Sequence, residues 1–185
     1  MQIRKQHLVD TAYRLFNEHG YHATGIDRIL AESGVSKATL YKHFRSKDDL
    51  VIAVLRQRHE QLIQAIGKAV EQARESGRSP GLAIFDVLDE WFRGDHFFGC
   101  NFINASAEYA EEGNAIHRLA AEHKAAMQDL IEHGLVEIPN RRQRQLMAKQ
   151  FSLLVDGAIV RAHTRRDRDA AQLAKKLAAQ MLCQR

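Results

Sequence analysis

The sequence predicts an all-α fold, and three observations support this prediction. Apolar residues recur three or four positions apart through almost every segment, as one buried face of an α-helix requires. The chain of 185 residues contains only two prolines, and runs of β-branched residues are few. Hydrophobic residues make up 45% of the composition, which is enough for a substantial core. We expect a chain of this length to form one or two domains.

Residues 3–19 predict the first helix. Its apolar positions form one stripe, and Gly20 is expected to end it. The stripe consists of Ile3, Leu8, Ala12, Leu15 and Phe16. This helix should lie across the next two and complete a three-helix core, with Tyr21 closing that core from the side.

Residues 24–47, TGIDRILAESGVSKATLYKHFRSK, predict a helix, a tight turn and a second short helix. Gly34 is expected to end the first of these helices at positive φ, and Ser36 to cap the second. Leu40 and Phe44 lie four residues apart and should both point inward. The remaining positions of the second helix are polar, small or aromatic, and so short a helix is marginal alone. This pattern favours a surface helix presented to a groove.

A helix–turn–helix places its second helix in the DNA major groove, with its N-terminal residues against base edges. We expect Lys37 and Lys42 to bind phosphates or guanine, Thr39 to contact a base and Tyr41 to contact a phosphate. Lys47 begins the next helix, where backbone N–H groups favour an anion. The complete predicted DNA-binding set is Thr24, Ser36, Lys37, Ala38, Thr39, Tyr41, Lys42, His43 and Lys47. The alternative is a structural hairpin with a solvated basic face.

The pattern G-V-S-K-x-T-L-Y-x-H-F-x-S-K-x-x-L, from Gly34 to Leu50, strongly resembles the DNA-binding domain of TetR-family transcriptional regulators. One departure is Gly25, where that family often has a threonine that caps the helix and touches a phosphate; Thr24 is expected to replace it. The resemblance implies a helix–turn–helix domain at residues 1–47 and a helical ligand-binding and dimerisation domain at 48–185. Within the second domain, residues 48–77 would form a connecting helix that moves when ligand binds.

The distribution of charge agrees with a nucleic-acid partner. Residues 1–47 contain eight Lys or Arg and four Asp or Glu, a net of +4, which equals the formal charge of the whole chain. Basic charge confined to one end is the expected electrostatic footprint of a DNA-binding protein.

The sequence carries no signal-peptide pattern and no apolar run long enough to cross a membrane. Its two cysteines, Cys100 and Cys183, make neither a disulfide framework nor a zinc site. His117 and His123 lack the i, i+4 spacing of a zinc-binding helix. We therefore expect a cytoplasmic protein without metal, cofactor or membrane partner.

An aromatic segment at residues 82–109 is the candidate for a small-molecule pocket, because its apolar side chains are interleaved with a few polar groups. The predicted ligand-binding residues are Trp91, Phe98, Cys100, Phe102 and Asn104. The alternative is an ordinary core. A separate hypothesis is that Cys100 senses an electrophile or oxidant, which would require a lowered thiol pKa.

Helices are also predicted at residues 114–134, 141–164 and 168–184. The last two are apolar over more than one stripe, which favours an interface with a second copy of the chain. The resemblance implies a sequence-specific transcriptional regulator, a repressor released by a small ligand, that binds a palindromic operator as a homodimer through these helices. The alternatives from other classes are a helical thiol-dependent enzyme using Cys100 and a protein-binding helical module. No base can be assigned to Cys100, so we do not expect an enzyme.

Overall fold

Nine α-helices occupy residues 2–184, the part of the chain that the computed structural model describes; side chains are described from residue 4 to residue 184. They are α1 (Gln2–His19), α2 (Ile26–Ser33), α3 (Lys37–His43), α4 (Lys47–Glu75), α5 (Ala83–Arg93), α6 (Asn101–Glu108), α7 (Ala115–Gly134), α8 (Arg141–Arg165) and α9 (Ala170–Cys183). A 3₁₀ turn at Pro80–Leu82 precedes α5, and these residues contain no β-strand. The all-α prediction is confirmed. The side chain of Ile3, assigned above to the first apolar stripe, lies outside the described residues.

The ends of the first three helices follow from local chemistry. Gly20, at φ 87°, ends α1, and Gly34, at φ 64°, ends α2 while its N–H donates to the Leu30 carbonyl. Positive φ is accessible to glycine at little steric cost, which explains both stops. The Ser36 hydroxyl accepts the N–H of Thr39 and caps α3.

The last helix, predicted to begin at residue 168, begins at Ala170. Arg166 adopts a left-handed conformation, at φ 55°, and ends α8. The following residues form a turn in which the Asp167 carboxylate accepts the N–H of Asp169, so α9 begins at Ala170. An aspartate that bonds the backbone two residues ahead favours a turn over a helix.

The chain folds into two compact units. Among the described residues, the first contains those up to Glu60 together with Asn101–His123, and the second contains Gln61–Cys100 together with those from Lys124 onward. Helices α4 and α7 therefore each contribute to both units. The predicted boundary at residue 47 between a DNA-binding domain and a ligand-binding domain stays a prediction, because a compact unit is not necessarily a functional domain.

The core of the first unit is formed by apolar side chains from α1, α2, α3 and the start of α4. Leu8, Leu15, Ile29, Leu40, Leu50 and Leu55 are each fully buried. Tyr21 is 1% exposed, and its ring centroid lies 5.2 Å from that of Phe16, so it closes this core as predicted. Burial of each such side chain stabilises the fold by roughly 1.5–3 kcal/mol relative to exposure.

In the second unit, α9 packs against α5 and α8. Phe85 and Phe151 meet edge to face, with ring centroids 5.8 Å apart. The 3₁₀ turn approaches the end of α7 closely, because a Cβ on Gly134 would lie 3.0 Å from the Pro80 carbonyl oxygen. No helix among the described residues has the length and apolar character needed to cross a membrane.

Candidate nucleic-acid interface

The short helix α3 turns one face inward and leaves the other in solvent. Leu40 is fully buried and Phe44, directly after the helix, is 4% exposed. The exposed positions are Lys37, Ala38, Tyr41 and Lys42. Two cationic side chains, one phenol and one small residue thus share a surface with the size and charge that a DNA groove accepts.

The first turn of α3 is organised by two hydroxyls. Ser36 Oγ accepts the N–H of Thr39 at 3.3 Å and lies 2.9 Å from Thr39 Oγ1. Ser36 is exposed and Thr39 is half-buried. The cap fixes where the helix begins, and it places both hydroxyls at the end that would face base edges.

Lys37 and His43 mark the two ends of α3. Lys37 Nζ lies 3.9 Å from Asp27 Oδ1, with the two side chains 66% and 91% exposed. Such an exposed pair contributes roughly 0–1 kcal/mol, so Lys37 can exchange this carboxylate for a DNA group at little cost. His43 is half-buried in the last turn, and its ring centroid is 6.4 Å from that of Phe44.

Thr24 does not lie on this surface, which corrects the expectation that it replaces the missing threonine at position 25. Its side chain is fully buried. The hydroxyl donates within the first unit, to the Gly20 carbonyl at 2.8 Å and the Leu15 carbonyl at 3.2 Å. Gly25 is the N-cap of α2, without a side-chain hydrogen bond. We therefore remove Thr24 from the proposed DNA contacts, because its hydroxyl is inaccessible.

Lys47 is held more firmly than an ordinary surface lysine. It is half-buried at the start of α4, and its Nζ donates to the His22 carbonyl at 3.2 Å. Burial lowers the pKa of Lys47, against the opposing effect of the Asp48 and Glu108 carboxylates. Lys47 thus ties the start of α4 to the turn between α1 and α2, and its contact with DNA stays a prediction.

Three of the predicted ligand-binding residues belong to the second unit. Trp91 and Phe98 are half-buried, and the Trp91 ring meets Phe97 edge to face with centroids 4.9 Å apart. Cys100 is a free thiol that is 5% exposed. A buried cysteine of this kind packs as a small apolar side chain. Its proposed response to oxidants stays a prediction.

The other two predicted ligand-binding residues belong to the first unit. Phe102 is fully buried and stacks on His123, with ring centroids 3.5 Å apart and planes 9° apart. His123 Nδ1 in turn lies 3.1 Å from His59 Nδ1. Asn104 is half-buried. A role of these side chains in ligand binding stays a prediction.

One functional candidate gave no sequence signal. The Glu108 carboxylate, at the end of α6, accepts the backbone N–H groups of Tyr21 and His22. These partners are separated from it by more than eighty positions, and no periodic pattern or short motif links them.

Among the described residues, no group of three or more His, Cys, Asp or Glu side chains could hold a metal ion.

Comparison with known proteins agrees with this geometry. Residues 8–54 match the family model described as "Bacterial regulatory proteins, tetR family". The chain is 30% identical to a TetR-family transcriptional regulator from Streptomyces coelicolor, whose crystal structure matches with a TM-score of 0.84 over 98% of this chain and 89% of that one. The HTH-type transcriptional activator FasR of Mycolicibacterium smegmatis is 36% identical over 89 residues, which cover 46% of this chain and 41% of FasR.

A further solved structure shares the fold. The multidrug binding protein EbrR, complexed with malachite green, is 20% identical and matches with a TM-score of 0.75 over 96% of each chain. The family model, the regulator from Streptomyces coelicolor and the exposed helix α3 all indicate the same class of protein, which is one of regulators and not of enzymes. The chain therefore belongs to the TetR family of DNA-binding transcriptional regulators.

Proposed function

We propose that this regulator is a repressor that binds a palindromic operator as a homodimer and is released by a small ligand. The observation that carries the proposal is the division of α3 into a buried and an exposed face. Leu40 anchors the helix from inside, while Lys37 and Lys42 stand in solvent. A helix of seven residues that buries only Leu40 contributes little to a core. Its position at the surface is best explained by contact with a groove.

The proposed contacts divide by their place on α3. Lys37, Ala38 and Thr39 lie in the first turn, where side chains reach base edges. Tyr41 and Lys42 follow, and we assign them to phosphates. Ser36, His43 and Lys47 complete the proposed set.

A second copy of the chain is proposed to pack on α8 and α9. Leu146, Leu153 and Val160 are spaced seven residues apart on α8 and are 58%, 74% and 45% exposed. Leu173 and Leu177 lie four apart on α9 and are 49% and 42% exposed. Aligned apolar side chains at this exposure favour a partner surface. A two-fold pair of α3 helices would match a palindrome.

The proposed ligand is a small molecule of largely apolar character. The aromatic residues around Trp91 and the complex of EbrR with malachite green support this part of the proposal. To lower operator occupancy a hundredfold, the ligand must favour the non-binding arrangement by about 2.7 kcal/mol.

A mobility-shift assay with genomic fragments, including the region upstream of the chain's own coding sequence, tests the proposal. We expect a few fragments to bind selectively, and binding to weaken as salt rises. Equal affinity for all fragments would reject sequence-specific regulation. Absence of any binding would instead favour the protein-binding module. Transcription in vitro from a bound fragment then separates a repressor, which lowers transcript yield, from an activator such as FasR.

A further inference from the structure

The turn between α1 and α2, residues Gly20–Thr24, presents two consecutive backbone N–H groups to one carboxylate. Glu108 Oε1 accepts the N–H of Tyr21 at 2.9 Å, and Glu108 Oε2 accepts the N–H of His22 at 2.6 Å. Successive N–H groups after a residue at positive φ form a concavity that favours an anion. Here a side chain of the same unit occupies that concavity.

A carboxylate suits this turn. Each N–H group donates to a different oxygen, and an ionised carboxylate supplies both acceptors without carrying a competing donor. Gly20 stands at φ 87°, and a Cβ at this position would lie 3.1 Å from Glu108 Oε1. Glycine therefore permits both the turn conformation and the close approach of the carboxylate.

The same turn is also held by α4 and by the start of α6. Lys47 Nζ donates to the His22 carbonyl at 3.2 Å. The Tyr21 hydroxyl donates to the Asn101 carbonyl at 3.1 Å, and this contact is buried. Glu108 at the end of α6 and Lys47 at the start of α4 therefore bond three consecutive peptide groups, and the start of α6 holds the Tyr21 side chain. The turn leads into α2 and then into α3.

We infer that Glu108 is a positioning residue for DNA binding, which holds α2 and α3 at the angle that sequence-specific contact requires. This inference rests on the proposed function of α3. Glu108 touches no DNA in this scheme; it acts through the turn. Its loss should leave the basic surface intact and disturb only the fit of α3 to base edges. Specific affinity should then fall while non-specific affinity persists, because the latter depends on charge alone.

The test compares wild type with Glu108→Ala, Glu108→Gln and the control Glu112→Gln. Glu112 is exposed in the loop after α6, and its substitution changes the net charge equally. Fluorescence anisotropy measures affinity for a fragment selected in the mobility-shift assay and for a scrambled duplex of the same length. Amide hydrogen exchange by NMR follows the N–H groups of Tyr21 and His22. Urea unfolding reports global stability.

We expect Glu108→Ala to weaken binding to the selected fragment at least about tenfold, since two charge-assisted hydrogen bonds are lost, and binding to the scrambled duplex by less than about twofold. Exchange at the two amides should accelerate. Glu108→Gln retains one acceptor oxygen and should fall between wild type and alanine in both measurements, whereas Glu112→Gln should match wild type.

Equal loss of affinity for both duplexes, in proportion to lost stability, would overturn the inference, because it is the mark of a merely structural residue. Wild-type affinity in Glu108→Ala despite faster amide exchange would also overturn it. Should Glu108→Ala not fold, the glutamine variant carries the same comparison. Failure of the wild type to prefer the selected fragment would reject the proposed function itself, a result that the variants do not affect.

Discussion

Substitution of Lys42 by alanine should reduce the salt dependence of operator binding. Lys42 is exposed in the last turn of α3, beyond the residues proposed to meet base edges, so its ammonium group is assigned to a phosphate. Each phosphate contact contributes about 0.9 to the slope of log affinity against log salt. A dimer on its operator loses two such contacts, and the slope should decrease in magnitude by about 1.8.

The consequence can be measured by anisotropy titrations at several salt concentrations. Between 50 and 200 mM salt, the affinity deficit of Lys42→Ala relative to wild type should shrink by about tenfold, because the lost term is electrostatic. Lys68→Ala is the matched control, since Lys68 is an exposed lysine on α4 in the second unit. It should leave the slope unchanged. If both variants alter the slope equally, or neither does, the outer face of α3 does not contact phosphates and the assignment is wrong.

Three further predictions follow from the same structure. Lys37→Ala should cost about 1–3 kcal/mol of binding to the operator and little on scrambled DNA, if Lys37 reads a base; equal loss on both duplexes would identify a phosphate contact. Gly134→Ala should lower the free energy of unfolding by about 1–3 kcal/mol in urea titrations, because the added Cβ would lie 3.0 Å from the Pro80 carbonyl oxygen. Gly67→Ala has open space around its Cβ and should raise the free energy of unfolding by about 1 kcal/mol. Burial, reinforced by nearby carboxylates, raises the pKa of Tyr109 to about 12. The protonated phenol therefore stabilises the fold fully below pH 10, and this contribution is lost as pH rises toward 12. In an ultraviolet titration, Tyr109→Phe should lack the ionisation near pH 12 that the wild type shows.

Helix boundaries could be predicted from the sequence because the signals that set them are local. The connecting helix predicted at residues 48–77 is observed as Lys47–Glu75, and the helix predicted at 141–164 is observed as Arg141–Arg165. Gly34 sets the end of α2 through its own φ angle, and Ser36 sets the start of α3 through its own hydroxyl. The same is true of the inward pair Leu40 and Phe44, whose spacing alone places them on one face.

Residues whose role depends on a distant partner could not be predicted in this way. Thr24 stands next to a helix start, where threonine commonly caps, yet its hydroxyl reaches the Leu15 carbonyl in the preceding helix. Glu108 contacts residues 21 and 22 because the fold returns α6 to the first unit. Neither contact leaves a periodic trace in the sequence, since each is made by a single polar side chain.

The dependence of α3 on distant contacts follows from its own weakness. With seven residues and one buried side chain, α3 is too short to hold its conformation or direction alone. Its start is fixed by a cap on Ser36, and its direction by the core that α1 and α2 form beneath it. We therefore expect a change in the turn between α1 and α2 to change the angle at which Lys37 and its neighbours meet a groove. A surface suited to reading DNA leaves few side chains for its own support, and we propose that residues elsewhere in the same unit, such as Glu108, supply it.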